Sequence, residues 1–298
     1  HPDVRYFELE KGGSIIGGVY LDLYAREGKR GGAWMNDYRG RRRFTTGDKI
    51  GQMQTPVAYL VCNFTPPVGG KEARLSHDEI ITLFHETGHG LHHLLTQVDE
   101  LGVSGINGVE WDAVELPSQF MENFVWEYDV LAEMSAHEEN GAPLPRVLFD
   151  KMVAAKNFQR GMFMVRQMEF ALFDMQIYSQ SEQSRLNEWP QVLEAVRREV
   201  SVVQPPAYNR FALSFGHIFA GGYSAGYYSY SWAEVLSADA YAAFEESDDV
   251  KATGKRFWQE VLAVGGSRSA MESFKAFRGR EPQIDALLRH SGFDADAA

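Results

Sequence analysis

The sequence has too little cysteine for a disulfide framework or a multi-cysteine metal site. Its 298 residues include a single cysteine, Cys62. One cysteine can form no intrachain disulfide, and such sparing use is typical of proteins from reducing compartments. The sequence therefore predicts a cytoplasmic protein.

Long apolar runs and an excess of positive charge are also missing. No uncharged apolar stretch reaches the roughly 18 residues that a membrane span requires. The 29 Lys and Arg residues are outnumbered by 41 Asp and Glu residues, which gives a net charge of −12. That charge disfavours a protein that follows the phosphates of a nucleic acid. Neither a membrane nor a nucleic acid is expected as a partner.

What is present is an ordinary globular composition, 44% hydrophobic and 13% aromatic. Early alternation of apolar and polar residues predicts strands at 4–10, 14–24, 32–36 and 56–64, the last as an edge strand able to pair with a peptide. Helical periodicity then predicts helices at 76–97, 115–137, 145–158, 161–179, 188–203, 222–246, 250–264, 267–277 and 282–290. The expected fold is mainly α with a small N-terminal β-sheet, in one domain over residues 1–298.

The chemistry is concentrated in residues 85–89, His-Glu-Thr-Gly-His, an HExxH pattern. On a helix, His85 and His89 lie one turn apart on one face, so both imidazoles can bind one zinc ion. Glu86 is placed to act on a water molecule at that ion. Ser76 and Glu79 form a predicted capping box that begins this helix.

A catalytic zinc ion needs a third protein ligand and one open position. His92 and His93 follow on the same helix but cannot reach an ion between His85 and His89, so they are interpreted as core or solvated residues. The third ligand is expected from a second helix. Four downstream acidic residues are candidates on this reasoning: Glu110, Asp112, Glu115 and Glu122.

Two segments resemble the M3 (thimet oligopeptidase) family of zinc peptidases: HETGHGLHHLL and, downstream, SGINGVEWDAVELPSQFMENF. The resemblance continues along almost the whole chain and implies a zincin-like catalytic domain. It also implies one Zn²⁺ ion per chain, held by His85, His89 and Glu115. In that family a zinc-activated water attacks short peptides with the glutamate at Glu86 as general base, so a metalloendopeptidase is expected.

The resemblance leaves two alternatives open. One is a dipeptidyl carboxypeptidase of the same family, and the other is an inactive zinc-bearing module that only binds peptides. Members of the family are much longer than this chain, and the chain begins at His1 without Met. It is therefore expected to be the C-terminal catalytic portion, able to associate with an N-terminal helical portion or with itself.

A tyrosine-rich segment is the second candidate for chemistry. Tyr223, Tyr227 and Tyr230 have the spacing of one helix face, and His217 precedes them across Gly221-Gly222. Aromatic residues at this spacing most often pack in a core, but a buried tyrosine hydroxyl needs a partner. The family resemblance implies that His217, Tyr223 and Tyr230 stabilise the oxyanion, with Tyr227 as a weaker candidate. It also marks Arg268 as a departure, because the family usually has an acidic residue there.

Overall fold

The computed structural model describes residues 1–293, apart from the side chains of residues 184–186. The last five positions of the predicted 1–298 domain lie outside the described residues. Two compact units are present. Unit 1 consists of His1–Phe149 and Ala233–Leu287, and unit 2 consists of Asp150–Trp232 with the residues from Leu288 onward.

Unit 1 begins with six strands. They are β1 (Arg5–Lys11), β2 (Ser14–Tyr24), β3 (Trp34–Arg39), β4 (Arg42–Arg43), β5 (Met53–Gln54) and β6 (Val57–Phe64), of which β1, β2, β3 and β6 were predicted. Four of them form one sheet in the order β1-β2-β6-β3, and β4 pairs with β5 separately. Strand β2 runs antiparallel to β1 and parallel to β6, whereas β3 is antiparallel to β6.

The prediction that residues 56–64 form an edge strand is wrong. Strand β6 is hydrogen-bonded on both sides, and Val57, Leu60 and Phe64 are each 3% exposed. Its nearly continuous apolar sequence is the pattern of a central strand covered on both faces. The two edges of this sheet are β1 and β3, and the β3 sequence WMNDYR is more polar than that of β6.

Helices follow the sheet. They are α1 (His77–Leu94), α2 (Trp111–Val114), α3 (Leu116–Glu122), α4 (Tyr128–Met134), α5 (Arg146–Ala155), α6 (Arg160–Tyr178), α7 (Glu182–Val200), α8 (Gly216–Ala220), α9 (Ser229–Glu245), α10 (Val250–Phe257), α11 (Ala270–Arg278) and α12 (Asp285–His290). The fold is mainly α, as predicted. Within the described part of the chain, no helix combines the length and apolarity needed to cross a bilayer.

Two predicted helices are interrupted. The helix expected at 115–137 is broken by a 3₁₀ turn at Asn123–Trp126. The helix expected at 222–246 begins only at Ser229, because Gly222 and Ala225 have φ angles of 89° and 52°. Such left-handed backbone cannot continue a right-handed helix. Tyr223 and Tyr227 therefore lie in a turn, and their predicted placement on one helix face with Tyr230 is wrong.

Helix α1 occupies the centre of unit 1. Its Leu94 packs against β2 and β6 through Val19, Ala58 and Leu60. A second cluster of apolar side chains joins α3 to α9, α10 and α11, with Phe120 stacked on Phe257 at 4.2 Å between ring centroids. Because α1 contacts the sheet as well as α3, it is held on two sides.

Unit 2 has its own core. Helix α6 supplies Phe173 and Ile177, which pack with Val192 and Leu193 of α7 and with Ile218 of α8. The same helix also carries a buried carboxylate, Glu169, which accepts hydrogen bonds from Arg166, Arg197 and Ser201. Since every charge of this group is paired, it can be accommodated at 0% exposure of Glu169.

Candidate metal centre

The start of α1 determines where its histidines lie. Ser76 Oγ accepts the backbone N–H of Glu79, and the Glu79 carboxylate accepts the backbone N–H of Ser76. The predicted capping box is confirmed. From this start, His85 and His89 fall one turn apart, with their ring centroids 5.1 Å from each other.

Helix α3 approaches α1 at a glycine. A Cβ atom on Gly88 would lie 2.3 Å from the carbonyl oxygen of Pro117 and 2.5 Å from Cα of Ser118. Only glycine permits backbones to come this close. The contact brings Glu115, the N-cap residue of α3, against the histidine pair, and Ser118 Oγ donates to Glu115 Oε2 at 2.7 Å.

Three potential ligand atoms converge at this crossing. Nε2 of His85 and Nε2 of His89 lie 3.2 Å and 3.1 Å from Oε2 of Glu115. His85, His89 and Glu115 form the one group in the described part of the chain whose ligand atoms all lie within 4.8 Å of one another. Two imidazole nitrogens and one carboxylate oxygen are a donor set that suits a catalytic zinc ion.

The electrostatics of this group are strongly coupled. Burial raises the pKa of Glu115, but the neighbouring His89 and His85 together hold it well below its usual range. Burial lowers the pKa of His85, yet its hydrogen bonds to Glu115 and Glu122 leave the pKa well above the usual value. A buried carboxylate, 0% exposed at Glu115, needs a compensating cation, which these imidazoles or a metal ion can supply.

Glu122, another candidate zinc ligand from the sequence, contacts the other nitrogen of the His85 ring. Its Oε1 is 2.6 Å from Nδ1 of His85. With Nδ1–H donating to that carboxylate, Nε2 carries the lone pair that a metal requires. Glu110 is also outside the group, and its Oε2 lies 3.4 Å from the backbone nitrogen of Ala270.

Glu86 lies next to these residues but is not part of the group. It is 4% exposed, and its Oε2 is buried without a hydrogen-bond partner among the described residues. Burial raises the pKa of Glu86, and the charges of His85 and His89 oppose that rise. A carboxylate with a raised pKa and an open oxygen is suited to taking and returning a proton.

The remaining histidines of α1 are core residues. His92 and His93 are 3% and 0% exposed, and His93 Nε2 lies 3.0 Å from the carbonyl oxygen of Arg39. Burial lowers the pKa of His92 to about 3, so this imidazole is neutral. Of the two interpretations, core or solvated, the burial of both side chains supports the first.

The tyrosine segment forms an aromatic cluster inside unit 2. The rings of Tyr223 and Tyr230 stack at 5.0 Å, and each lies 6.0 Å from the ring of His217, which is exposed. Tyr227 is 9% exposed and donates its hydroxyl to Gln167 at 3.0 Å. This burial fits its weaker candidacy.

Arg268, the departure from the family pattern, is engaged inside unit 1. Its guanidinium donates to the carbonyl and carboxylate oxygens of Glu260 and to Ser273 Oγ. These contacts connect the loop before α11 to the π-helical turn Trp258–Leu262.

Sequence reasoning missed three residues that shape these sites. Ser118 orients the carboxylate of Glu115, and Gly88 permits the approach of α3. Asp174 of α6 binds the backbone of the tyrosine turn. The contact of Ser118 could have been predicted from the sequence, because a serine three residues after Glu115 on a helix can donate a hydrogen bond to it. The other two depend on contacts between distant segments.

Comparison with known proteins identifies the family of this chain. The sequence profile of Peptidase family M3 matches residues 1–293. The chain belongs to this family. Oligopeptidase A of Salmonella typhimurium is 55% identical over 98% of this chain, and that of Escherichia coli is 54% identical over 98%. The match covers 43% of either relative, so the chain spans less than half the length of these M3 proteins.

Other M3 relatives and solved structures are less similar. Dipeptidyl carboxypeptidase of Salmonella typhimurium is 37% identical over 99% of the chain and 42% of that protein. The structure of Pz peptidase A superposes with a TM-score of 0.60 at 17% identity, over 91% of this chain and 42% of that one. A carboxypeptidase from Pyrococcus furiosus superposes with a TM-score of 0.58 at 16% identity, over 92% and 53% of the two chains. These structural matches establish the fold.

Proposed function

We propose that this chain is a zinc-dependent endo-oligopeptidase that hydrolyses short peptides. The observation that carries the proposal is the convergence of His85, His89 and Glu115 at the crossing of α1 and α3. Membership of Peptidase family M3 and the 55% identity to an oligopeptidase A support it. Its one free cysteine is buried, which suits action in the reducing cytoplasm.

The roles in unit 1 follow from the contacts. His85, His89 and Glu115 would hold the ion, with Ser118 and Glu122 orienting two of these ligands. A zinc ion bound there supplies a Lewis acid that polarises the peptide carbonyl and acidifies water. Glu86 takes a proton from the attacking water through its open Oε2 and passes it to the leaving amine.

The role proposed for unit 2 is transition-state stabilisation. The carbonyl oxygen of the substrate gains negative charge as its carbon becomes tetrahedral, so donors aimed at that oxygen lower the barrier. His217, Tyr223 and Tyr230 supply an imidazole and two hydroxyls from one cluster. Their half-buried or exposed rings support the assignment, in contrast to the buried Tyr227.

Substrate binding is proposed along β3. This strand is one of the two edges of the sheet, next to β6, and the backbone of Met35 in β3 is within hydrogen-bonding reach of Glu86, whose pKa burial raises. An extended peptide can add to such an edge through its backbone, with little demand on its side chains. This mode of binding suits an enzyme that cleaves many short peptides.

Zinc content and turnover, measured together, test the proposal. The parent protein should bind one zinc ion and cleave an internally quenched peptide whose two termini are blocked. Glu115→Ala should lose the zinc, whereas its control Glu110→Ala should keep it. Glu86→Gln should keep the zinc but lose turnover by about 10²–10⁴-fold, because it removes the base without removing a ligand.

Other outcomes identify the alternatives. Cleavage of free-carboxyl peptides but not of amidated ones would indicate a dipeptidyl carboxypeptidase. Stoichiometric zinc and peptide binding without any turnover would indicate a binding module. Full zinc occupancy in Glu115→Ala would show that the ligand assignment is wrong.

A further inference from the structure

The turn that carries the catalytic tyrosines has a conformation that its own sequence does not favour. Between α8 and α9 the chain reverses through Gly222, at φ 89°, and Ala225, at φ 52°. Left-handed backbone is ordinary for glycine but unfavourable for alanine, whose Cβ crowds the following carbonyl. Ala225 is one of two residues other than glycine with positive φ in the described part of the chain. Such conformations persist where the surroundings hold them.

A buried carboxylate binds the backbone of this turn. Asp174 of α6 is 0% exposed, and its two carboxylate oxygens receive different backbone donors. Oδ1 accepts the N–H of Ala225 and Oδ2 accepts the N–H of Tyr227, both at 2.9 Å. Burial raises the pKa of Asp174, while hydrogen bonds from the backbone of Tyr227, Ala225 and Gly226 oppose the rise. The carboxylate thus binds the backbone N–H groups of two residues of the turn.

Helix α6 also binds the side-chain hydroxyl of Tyr227, the tyrosine in the middle of the turn. Tyr227 is bound at its N–H by Asp174 and at its hydroxyl by Gln167, so both ends of the residue are attached to one helix. The ring of Tyr227 in turn lies 5.0 Å from that of Tyr230. Tyr230 stacks on Tyr223, and so the positions of both proposed oxyanion donors depend on a residue that α6 holds.

We propose that Asp174 is a positioning residue of the peptidase reaction. By fixing the left-handed turn at Ala225, it holds the hydroxyls of Tyr223 and Tyr230 in one arrangement. The inference rests on the proposed function of those tyrosines. Donors that stabilise developing charge must be preorganised, because a displacement of about 1 Å costs much of their effect.

The test variant is Asp174→Asn, which keeps the size of the side chain. The asparagine amide has one oxygen and one NH₂ group. Its oxygen can accept one of the two backbone N–H groups, but its NH₂ group, itself a donor, cannot accept the other. The matched control is Glu169→Gln on the same helix. Glu169 is equally buried, but its partners are the side chains of Arg166, Arg197 and Ser201.

Three measurements are made on the zinc-loaded variants: melting temperature, kcat and KM on one quenched peptide, and amide hydrogen exchange of residues 221–230. Asp174→Asn should lower kcat about tenfold or more with KM changed less than about threefold, as expected for loss of transition-state contacts. Its amides at Ala225 and Tyr227 should lose protection. Glu169→Gln should lower the melting temperature yet retain kcat and the protection of the turn.

Two combined variants separate positioning from simple stability. Asp174→Asn added to Tyr223→Phe and Tyr230→Phe should slow turnover by no more than about twofold beyond those two substitutions, because the carboxylate acts through their hydroxyls. Asp174→Asn combined with Ala225→Gly should recover part of the lost kcat, since glycine adopts the left-handed turn without support.

Several results would overturn the inference. Loss of amide protection in the turn of Asp174→Asn with kcat still within about twofold of the parent would make the residue structural only. An equal loss of kcat in Glu169→Gln would attribute the effect to general loosening of unit 2. If Tyr230→Phe and Tyr223→Phe both retain the parent kcat, the proposed function of the tyrosines fails, and the exchange data still show separately whether Asp174 holds the turn.

Discussion

Oε1 of Glu122 lies 2.6 Å from Nδ1 of His85, while Oε2 of Glu115 lies 3.2 Å from Nε2 of the same ring. One imidazole is therefore held between two carboxylates with different tasks. Glu115 faces the converging ligand atoms, and Glu122 fixes the tautomer and orientation of the ring. The two glutamates are seven residues apart on one short stretch of chain, so sequence spacing alone did not separate their roles.

Removing the orienting carboxylate should weaken zinc binding without abolishing it. Glu122→Ala is expected to lower zinc affinity about 10–100-fold, the usual effect of losing such a partner. Glu122→Gln should be milder, because its amide oxygen can still accept from Nδ1–H. Competition with a metal chelator measures both affinities. Equal affinity in the parent and in Glu122→Ala would contradict this role.

Gly88→Ala should disrupt the crossing that brings Glu115 to the histidines. The added Cβ would meet the Pro117 carbonyl oxygen at 2.3 Å, and backbone cannot yield as a side chain can. Overpacking of this kind typically lowers the free energy of unfolding by about 1–3 kcal/mol. Zinc affinity should fall as well, because Glu115 is displaced from the histidines. Gly254→Ala is the matched control, because its new Cβ would be 3.7 Å from a Phe244 ring carbon.

That control should raise the melting temperature slightly, since alanine favours a helix over glycine by roughly 0.5–1 kcal/mol. Thermal unfolding and zinc analysis of both variants check the pair. Normal zinc content and an unchanged melting temperature in Gly88→Ala would mean that the close approach is not required.

The tyrosine hydroxyls should matter mainly for kcat. Tyr230→Phe keeps the ring stacked on Tyr223 and deletes one donor, so kcat should fall by about 10²–10³-fold with little change in KM. Tyr227→Phe is the control and should be mild, because that hydroxyl is bound to Gln167. Steady-state kinetics on folded, zinc-loaded protein measure both effects. An equal loss of kcat in Tyr227→Phe and Tyr230→Phe would contradict the choice of Tyr230 over Tyr227 as an oxyanion donor.

A buried ion pair should give unit 1 part of its acid sensitivity. Asp239 is 1% exposed and accepts hydrogen bonds from Arg278 and Arg280. Burial raises the pKa of Asp239, but Arg280, the Gln283 backbone and Arg278 together lower it below the usual value. Asp239→Asn should therefore reduce the free energy of unfolding at pH 7 by about 3 kcal/mol.

The sign of the pH dependence follows from that lowered pKa. The stabilisation is complete above the unfolded-state pKa of about 3.9 and is lost as pH falls through the folded-state value, where the carboxyl becomes protonated in both states. The difference in free energy of unfolding between the parent and Asp239→Asn should thus be constant near neutral pH and become smaller below about pH 4. Glu246→Gln, which alters the exposed partner of Arg278, should change stability by less than about 1 kcal/mol. Urea titrations at several pH values measure both differences.

Local sequence determined the features that depend on neighbours within a few residues. The capping box, the i, i+4 histidine pair and the limits of the strand at Ser14–Tyr24 all follow from spacing along one element. Spacing along α1 also set His92 and His93 apart from the pair His85 and His89, but it left their burial open. Glu115 was one of four candidates from spacing, and the family resemblance selected it.

Tertiary structure decided whatever depends on which segments meet. Strand β6 is central because β2 and β3 flank it, and which strands pair with it is decided by segments distant in sequence. Glu115 and Glu122 take different nitrogens of His85 because Gly88 lets α3 cross α1 at one point. The tyrosine turn resists helix formation because Asp174, some fifty residues earlier, supplies acceptors for the N–H groups of Ala225 and Tyr227. In each case a contact between distant parts of the chain outweighs a local preference, since hydrogen bonds and packing in a buried site contribute more than intrinsic propensity.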